Sequence, residues 1–112
     1  MSTTAHRRKQ QAPRGPVRRA LIARVSRLFS ALQRSQQEHR RQQFAEVGAR
    51  SGRVVFLGDS ISEFGLWEEW FPEIPVLNRG IGGETSAQVL ARLETAITEP
   101  RAVFLLVGTN DL

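Results

Sequence analysis

The chain has 112 residues, enough for one domain but not for two of ordinary size. It contains no cysteine, which excludes disulfides and thiolate metal sites, and its two histidines, His6 and His39, lack the spacing of metal ligands. The net charge of +5 is unevenly divided, because residues 1–50 hold twelve Lys and Arg against two acids, whereas residues 51–112 hold four against nine. The composition therefore indicates a basic leader followed by a mildly acidic segment.

The first half of the chain is predicted to form a tail and one helix. Residues 1–16 are small, polar and basic, with two prolines and a glycine, a composition typical of disorder. Over residues 17–50 nothing interrupts a helix until the glycines near its end. Four apolar residues recur there at helical spacing, namely Leu21, Val25, Leu28 and Leu32. This apolar stripe fades through "QRSQQEHRRQQ", so we predict a long, amphipathic and basic helix with its best-defined face in the first half.

After residue 50 the pattern changes to short apolar runs separated by helical segments. "RVVFLG", "IPVLN" and "AVFLLVG" predict three strands, the first and third of them buried. Residues 60–70 and 85–98 predict helices. The second of these helices directs four apolar residues inward, namely Val89, Leu90, Leu93 and Ile97. Connections of this length join parallel strands, and right-handed crossovers bring the carboxyl ends of all three strands to one edge of the sheet.

A segment of small and polar residues follows each predicted strand: "GDS", "NRGIGGET" and "GTND". Ligands of open parallel sheets bind at this edge. Ser60 would lie at a strand-to-helix turn, where free N–H groups stabilise a developing oxyanion. Gly83 has no side chain, so its N–H can approach a substrate closely, and Asn110 brings an amide donor. The pattern predicts a serine nucleophile with three oxyanion donors: the Ser60 N–H, the Gly83 N–H and the Asn110 amide.

Each of these segments also has an ordinary structural interpretation. Asp and Ser after a strand are common helix caps, and clustered glycines usually form a turn. What favours the catalytic interpretation is their conjunction, because all three segments fall in order on one predicted edge.

The same segments resemble a known family. "FLGDSIS", "NRGIGGET" and "LLVGTND" are similar to the first three sequence blocks of the SGNH, or GDSL-type, hydrolases, a superfamily of esterases and lipases. Their spacing and the residues of "NRGIGGET" favour the branch that resembles platelet-activating-factor acetylhydrolase catalytic subunits. The resemblance covers residues 53–112. It implies a flavodoxin-like, three-layer α/β fold around a parallel sheet of strand order 2-1-3-4-5, of which residues 51–112 would supply the first three strands.

The resemblance also implies roles for five residues. Ser60 would be the nucleophile, and Gly83 and Asn110 would complete the oxyanion hole. Asp59 and Thr85 would have supporting, more structural roles. The implied substrate is a small-molecule ester, and no cofactor or metal is expected.

The family's fourth block, an Asp-x-x-His that supplies the base and its orienting acid, has no match in this sequence. Serine near neutral pH is a weak nucleophile until a base accepts its proton. His39 lies on the predicted helix and His6 in the tail, so neither is expected to replace that base. Asp111 is expected to be part of the third block or a surface cap rather than a base. We therefore expect a truncated, N-terminal part of a hydrolase without substantial activity. Its third strand would be an exposed apolar edge that favours self-association.

Other functions stay open on the sequence alone. The basic residues within 7–41 are compatible with a surface for nucleic acid or an anionic membrane. This interpretation is not favoured over a packing helix with a solvated basic face, because Phe29 and Phe44 are the only aromatic residues of the leader. Nucleotide binding through "GIGGET" is less favoured, because a dinucleotide fingerprint follows the first strand of a βαβ unit.

The sequence also bears on location. No apolar run is long enough to cross a bilayer, and Arg24 and Arg27 interrupt the stretch most like a signal peptide. The expectation is a cytoplasmic protein, with a transit peptide left open. The acyl chain, the alcohol of the ester and the oligomeric state are not predicted.

Overall fold

A computed structural model describes residues 15–112. These residues divide into two units, one of residues 15–32 and one of residues 33–112. The predicted disordered tail falls on residues 1–16. All of that tail up to residue 14, including His6, lies outside the described residues.

One long helix, α1 (Pro16–Val47), begins in the first unit and ends in the second. The four residues of the apolar stripe are between 56% and 63% exposed, so the face that defines the amphipathic pattern is not the face that is buried. The buried side chains of α1 are Gln37 and Phe44, in the half where the apolar pattern fades. Polar contacts, described below, replace apolar periodicity as the reason that this half of the helix packs.

Three parallel strands form the sheet: β1 (Val54–Gly58), β2 (Val76–Gly80) and β3 (Ala102–Leu106). Their order is β2-β1-β3. Gly58, the last residue of β1, pairs with Gly80 and with Leu106, the last residues of its two neighbours. The strands therefore end together, as predicted, and their order matches the first three strands of a flavodoxin-like sheet.

The two predicted helices of this half are each broken in two. Residues 60–70 form α2 (Ser60–Phe64) and α3 (Trp67–Trp70), because the Trp67 indole nitrogen donates to the Ser62 carbonyl at 2.7 Å and the chain becomes extended at Gly65. A Cβ at Gly65 would overlap that indole ring, so the break requires a glycine.

The second predicted helix divides into α4 (Ser86–Ala91) and α5 (Leu93–Ala96), with Arg92 outside helical geometry between them. Leu90 was predicted to face inward and is 67% exposed, so that prediction was wrong. Val89 is buried in the core, against which Leu93 and Ile97 pack, as predicted.

The core lies on β1, the central strand. Val55 and Leu57 are almost fully buried against Val89 and Ala96 on one face of the sheet. On the other face the Phe56 ring stacks on Trp67, with 3.9 Å between ring centroids, and on Phe104, with 5.2 Å. β1 is thus buried on both faces, as its uninterrupted apolar run predicts. Burying each large apolar side chain stabilises the fold by about 1.5–3 kcal/mol.

β3 is an edge strand among the described residues, and all five of its residues are exposed. The exposed edge that the family resemblance implies for the third strand is therefore observed, whereas the burial that its apolar run alone predicts is not. Its apolar composition suits burial, but only β1 pairs with it, and neither face is covered by a described element. Phe104 and Leu105 are 58% and 59% exposed. Such an apolar edge offers unpaired backbone groups and apolar side chains to a second chain.

We expect Leu105→Lys to reduce self-association, because a charge on an edge strand opposes strand-to-strand pairing. Sedimentation velocity over a concentration series should show association beginning at a severalfold higher concentration than in the wild type. Val47→Lys adds the same charge at a similarly exposed position outside the sheet, 54% exposed, and is the matched control. Equal association of both variants and the wild type would contradict a role for β3.

Candidate active site

The residues that follow the three strands line one cavity. Ser60 follows β1, Gly83 follows β2 and Asn110 follows β3, and all three border a cavity of about 250 Å³. Seven other residues line it: Gln33, Gln36, Gln37, Glu63, Phe64, Ile81 and Gly82. The sequence brings the three predicted residues together through the common end of the strands, while their catalytic roles stay predictions.

Ser60 is held by a cap on its own turn. The buried Asp59 carboxylate accepts a hydrogen bond from the Ile61 N–H at 3.2 Å, which starts α2 directly after β1. Ser60 is half-buried, and in residues 15–112 neither its N–H nor its Oγ has a hydrogen-bond partner. Since α2 has only five residues, a helix dipole contributes little to the electrostatic potential at Ser60.

Gly83 has a conformation and a setting that require glycine. Its φ is +79°, in the left-handed region. A Cβ at this position would lie 2.9 Å from Gln37 Nε2 and would overlap the Gln33 carboxamide. The Gly83 N–H has no acceptor within the described part of the chain. It is therefore a backbone donor at the cavity wall that no group in residues 15–112 uses.

Asn110 is positioned by a 3-10 turn, Thr109–Asp111, which begins after Gly108 at φ +115°. Its Nδ2 donates to the Glu84 carbonyl at 3.0 Å. An amide nitrogen carries two hydrogens, so this contact fixes the side chain and leaves one hydrogen for a ligand.

Thr85 and Asp111 both serve the start of α4. The Thr85 Oγ1 accepts from the Gln88 N–H at 3.3 Å, and the Gln88 side chain accepts from the Thr85 N–H at 2.9 Å, which forms a capping box. The Asp111 carboxylate accepts from both the Ser86 N–H and its Oγ at 2.7 Å. These hydrogen bonds lower the pKa of Asp111, so it is a cap rather than a base.

No histidine lines the cavity among residues 15–112. His39 is exposed on α1 and is not part of the cavity wall. The acidic group that lines the cavity is Glu63, whose Oε1 lies 3.1 Å from Arg40 Nε. Nothing in the sequence singles out Glu63, because a glutamate in a helix is usually solvated, even when it directly follows a motif as Glu63 follows "FLGDSIS".

A buried ion pair lies behind the cavity. Glu84 has no exposed surface, and its two oxygens accept from Arg92 Nε at 2.6 Å and Arg41 Nε at 2.7 Å. Arg92 Nη2 also donates to the carbonyls of Gly58 at 3.2 Å and Arg79 at 2.9 Å. Burial lowers the pKa of Arg92, and the hydrogen bond that Arg92 donates to Glu84 opposes this. An arginine guanidinium stays charged at neutral pH. Arg92 thus ties the ends of β1 and β2 together.

The second half of α1 docks beside this ion pair. The Phe44 ring has the guanidinium groups of Arg40 and Arg79 at 4.7 Å and 4.6 Å from its centroid, within the range of cation–π attraction. Arg40 Nε also donates to the Gly80 carbonyl at 2.6 Å. Gln37 Nε2 donates to the Gly82 carbonyl at 2.8 Å.

The docking face of α1 was missed in the sequence, although a signal was present. Gln33, Gln37, Arg40 or Arg41, and Phe44 recur at helical spacing of three and four residues, so they share one face. A search for apolar periodicity passes over such a face, because only one of its members is apolar.

The parallel sheet with its cavity at the carboxyl edge places the protein in the α/β class, with part of a flavodoxin-like fold. This is the fold that the family resemblance of the sequence implies. Comparison with known proteins gives the relatives. Platelet-activating factor acetylhydrolase IB subunit alpha1 of Rattus norvegicus is 42% identical over 74 residues, which are 60% of this chain and 32% of that protein. Subunit alpha2 of Homo sapiens is 38% identical over 65 residues, which are 52% of this chain and 28% of that protein.

A solved structure from Streptococcus pneumonia, described as a candidate platelet activating factor, superposes with a TM-score of 0.70 and 27% identity over 80% of this chain and 44% of that one. No family model matches the chain. The relatives found by sequence nevertheless show that its homologues are platelet-activating factor acetylhydrolase subunits, of the SGNH-type family. The chain spans about a third of the length of the subunits that it matches.

Two negative findings concern membrane spans and metal sites in the described residues. No helix there combines the length and the apolar character that crossing a membrane requires. Nor do three or more His, Cys, Asp or Glu side chains come together in that part of the chain in a group that could hold a metal ion.

Proposed function

We propose that this chain carries the nucleophile and the oxyanion hole of a serine ester hydrolase. The supporting observation is that Ser60, Gly83 and Asn110, each following a different strand, border the same cavity. The N–H groups of Ser60 and Gly83 have no acceptor within residues 15–112, so both can bind a substrate oxygen. Hydrolase homologues support the same reaction class.

In this reaction the Ser60 Oγ attacks the ester carbonyl carbon and forms a tetrahedral intermediate. The negative oxygen accepts hydrogen bonds from the N–H groups of Ser60 and Gly83 and from the Asn110 amide. The bond to the alcohol oxygen then breaks, the alcohol leaves with a proton, and the acyl group stays on Ser60. Water attacks the acyl-serine, releases the carboxylic acid and restores the Ser60 hydroxyl.

The attack requires a base for the Ser60 proton, and the described cavity wall contains no histidine. We propose that Ser60 is therefore correctly placed but weakly nucleophilic in this chain. The name of the relatives points to an acetyl ester as substrate, and a cavity of about 250 Å³ suits a short acyl group.

A fluorophosphonate probe tests this function, because it phosphonylates a serine with loss of fluoride and its phosphoryl oxygen uses the oxyanion hole. We expect intact-mass spectrometry to show slow, single labelling on Ser60 and none on Ser60→Ala. Added imidazole should accelerate labelling, since it supplies the base from solution. Ser35→Ala, a change at an exposed serine of α1, is the control and should label like the wild type. Folded protein that stays unlabelled at Ser60 with imidazole present would refute the proposal.

A further inference from the structure

The peptide group between Gly82 and Gly83 differs from its neighbours at the sheet edge. At the end of β1 and β2, the Asp59 N–H donates to the Leu106 carbonyl at 3.3 Å and the Ile81 N–H donates to the Gly58 carbonyl at 2.9 Å. The Gly83 N–H has no acceptor in the described residues, whereas the carbonyl of the same peptide group accepts from Gln37. One end of this peptide is therefore fixed by α1, and the other end is available.

The two ends of a trans peptide point in opposite directions. Fixing the Gly82 carbonyl towards Gln37 therefore fixes the direction of the Gly83 N–H. Glycine on both sides makes this peptide unusually free to rotate, because neither residue has a Cβ that excludes alternative φ and ψ values. A flip would replace the N–H with a carbonyl oxygen, which repels an oxyanion instead of binding it.

We infer that Gln37 is a positioning residue for the oxyanion hole. It is 7% exposed, and its Nε2 lies 2.8 Å from the Gly82 carbonyl, which can only accept, so the amide orientation is determined by chemistry. Arg40 donates to the Gly80 carbonyl and Phe44 packs against the Arg79 guanidinium of β2, so the donor is carried on a helix that is docked on the sheet. The inference rests on the proposed function and adds that α1 is part of the active site.

Gln37→Met tests this inference, because methionine keeps the length and bulk of the side chain and removes the donor. We expect labelling of Ser60 by the fluorophosphonate probe to slow about tenfold, since one donor of the oxyanion hole is no longer held in place. Gln43→Met is the matched control on an exposed position of the same helix and should label at the wild-type rate. Gln37→Asn, which is one methylene too short to reach, should behave like Gln37→Met and serves if the methionine variant does not fold.

The Gly83 amide resonance is a second readout that does not depend on Ser60 reactivity. In Gln37→Met it should broaden or double as the peptide samples the flipped state, while the amides of Asp59 and Ile81 stay unchanged. If Ser60 is unreactive in every variant but the Gly83 amide responds, the proposed function fails and the positioning role stands. A Gly83 amide that is the same in Gln37→Met, Gln37→Asn and wild type, with equal labelling rates, would overturn the inference.

Discussion

Glu84→Ala is expected to destabilise this chain by about 3–5 kcal/mol, because it leaves the buried Arg92 guanidinium without its charged partner. Arg92 is 8% exposed, and its Nη1 already lacks a hydrogen-bond partner in residues 15–112. A loss of that size is a large share of the total stability of a small domain, about 5–15 kcal/mol. Urea unfolding should therefore show an unfolded or barely folded protein.

Glu94→Ala is the matched control for this prediction. It removes the same charge from an exposed position on α5, and we expect a change within about 0.5 kcal/mol. A double variant, Glu84→Gln with Arg92→Met, should recover part of the stability, since it removes both of the most buried charges, while the less buried Arg41 keeps its ion pair with Glu38. Equal urea midpoints for Glu84→Ala and Glu94→Ala would show that the ion pair does not stabilise the end of the sheet.

Gly80→Ala should have an effect of similar size for a steric reason. Gly80 is the last residue of β2, and a Cβ there would overlap the backbone nitrogen of Glu63 on α2. Backbone cannot move aside as a side chain can, so α2 must separate from β2. We expect a loss of about 3 kcal/mol, at the upper end of the usual cost of overpacking.

Gly52→Ala separates packing from conformation in the same experiment. Gly52 has a φ of +71° and open space around its Cα, so alanine there meets only the cost of a left-handed conformation, about 1–2 kcal/mol. In thermal or urea unfolding, Gly80→Ala should be clearly less stable than Gly52→Ala. The opposite ranking would mean that α2 does not lie as close to β2 as described.

The sheet and its polar edge were predictable because their signals are short in sequence. β1 is a single apolar run ended by Gly58, and each polar segment begins at or near the end of its strand, the second of them within β2. Local patterns of this kind identify which residues end a strand, and the rules for parallel crossovers then bring the ends together. These two kinds of information were enough to predict that Ser60, Gly83 and Asn110 lie together, as they do at one cavity.

The features that were missed depend on side-chain contacts that no sequence pattern indicates. Gln37 and Glu84 are polar residues in buried positions, and only their contacts with Gly82 and Arg92 explain that burial. The break at Gly65 depends on the Trp67 indole, which donates to the Ser62 carbonyl. The exposure of β3 was predicted only from the strand order that the family resemblance implies, because its own apolar composition indicates burial.

If the Ser60 N–H, the Gly83 N–H and the Asn110 amide form one oxyanion site, all three should surround one oxygen in the structure of the Ser60 phosphonate adduct, prepared with imidazole. We expect the phosphoryl oxygen to lie within about 2.7–3.1 Å of the Ser60 nitrogen, the Gly83 nitrogen and Asn110 Nδ2. A phosphoryl oxygen that faces away from all three donors, or a label on another residue, would contradict it.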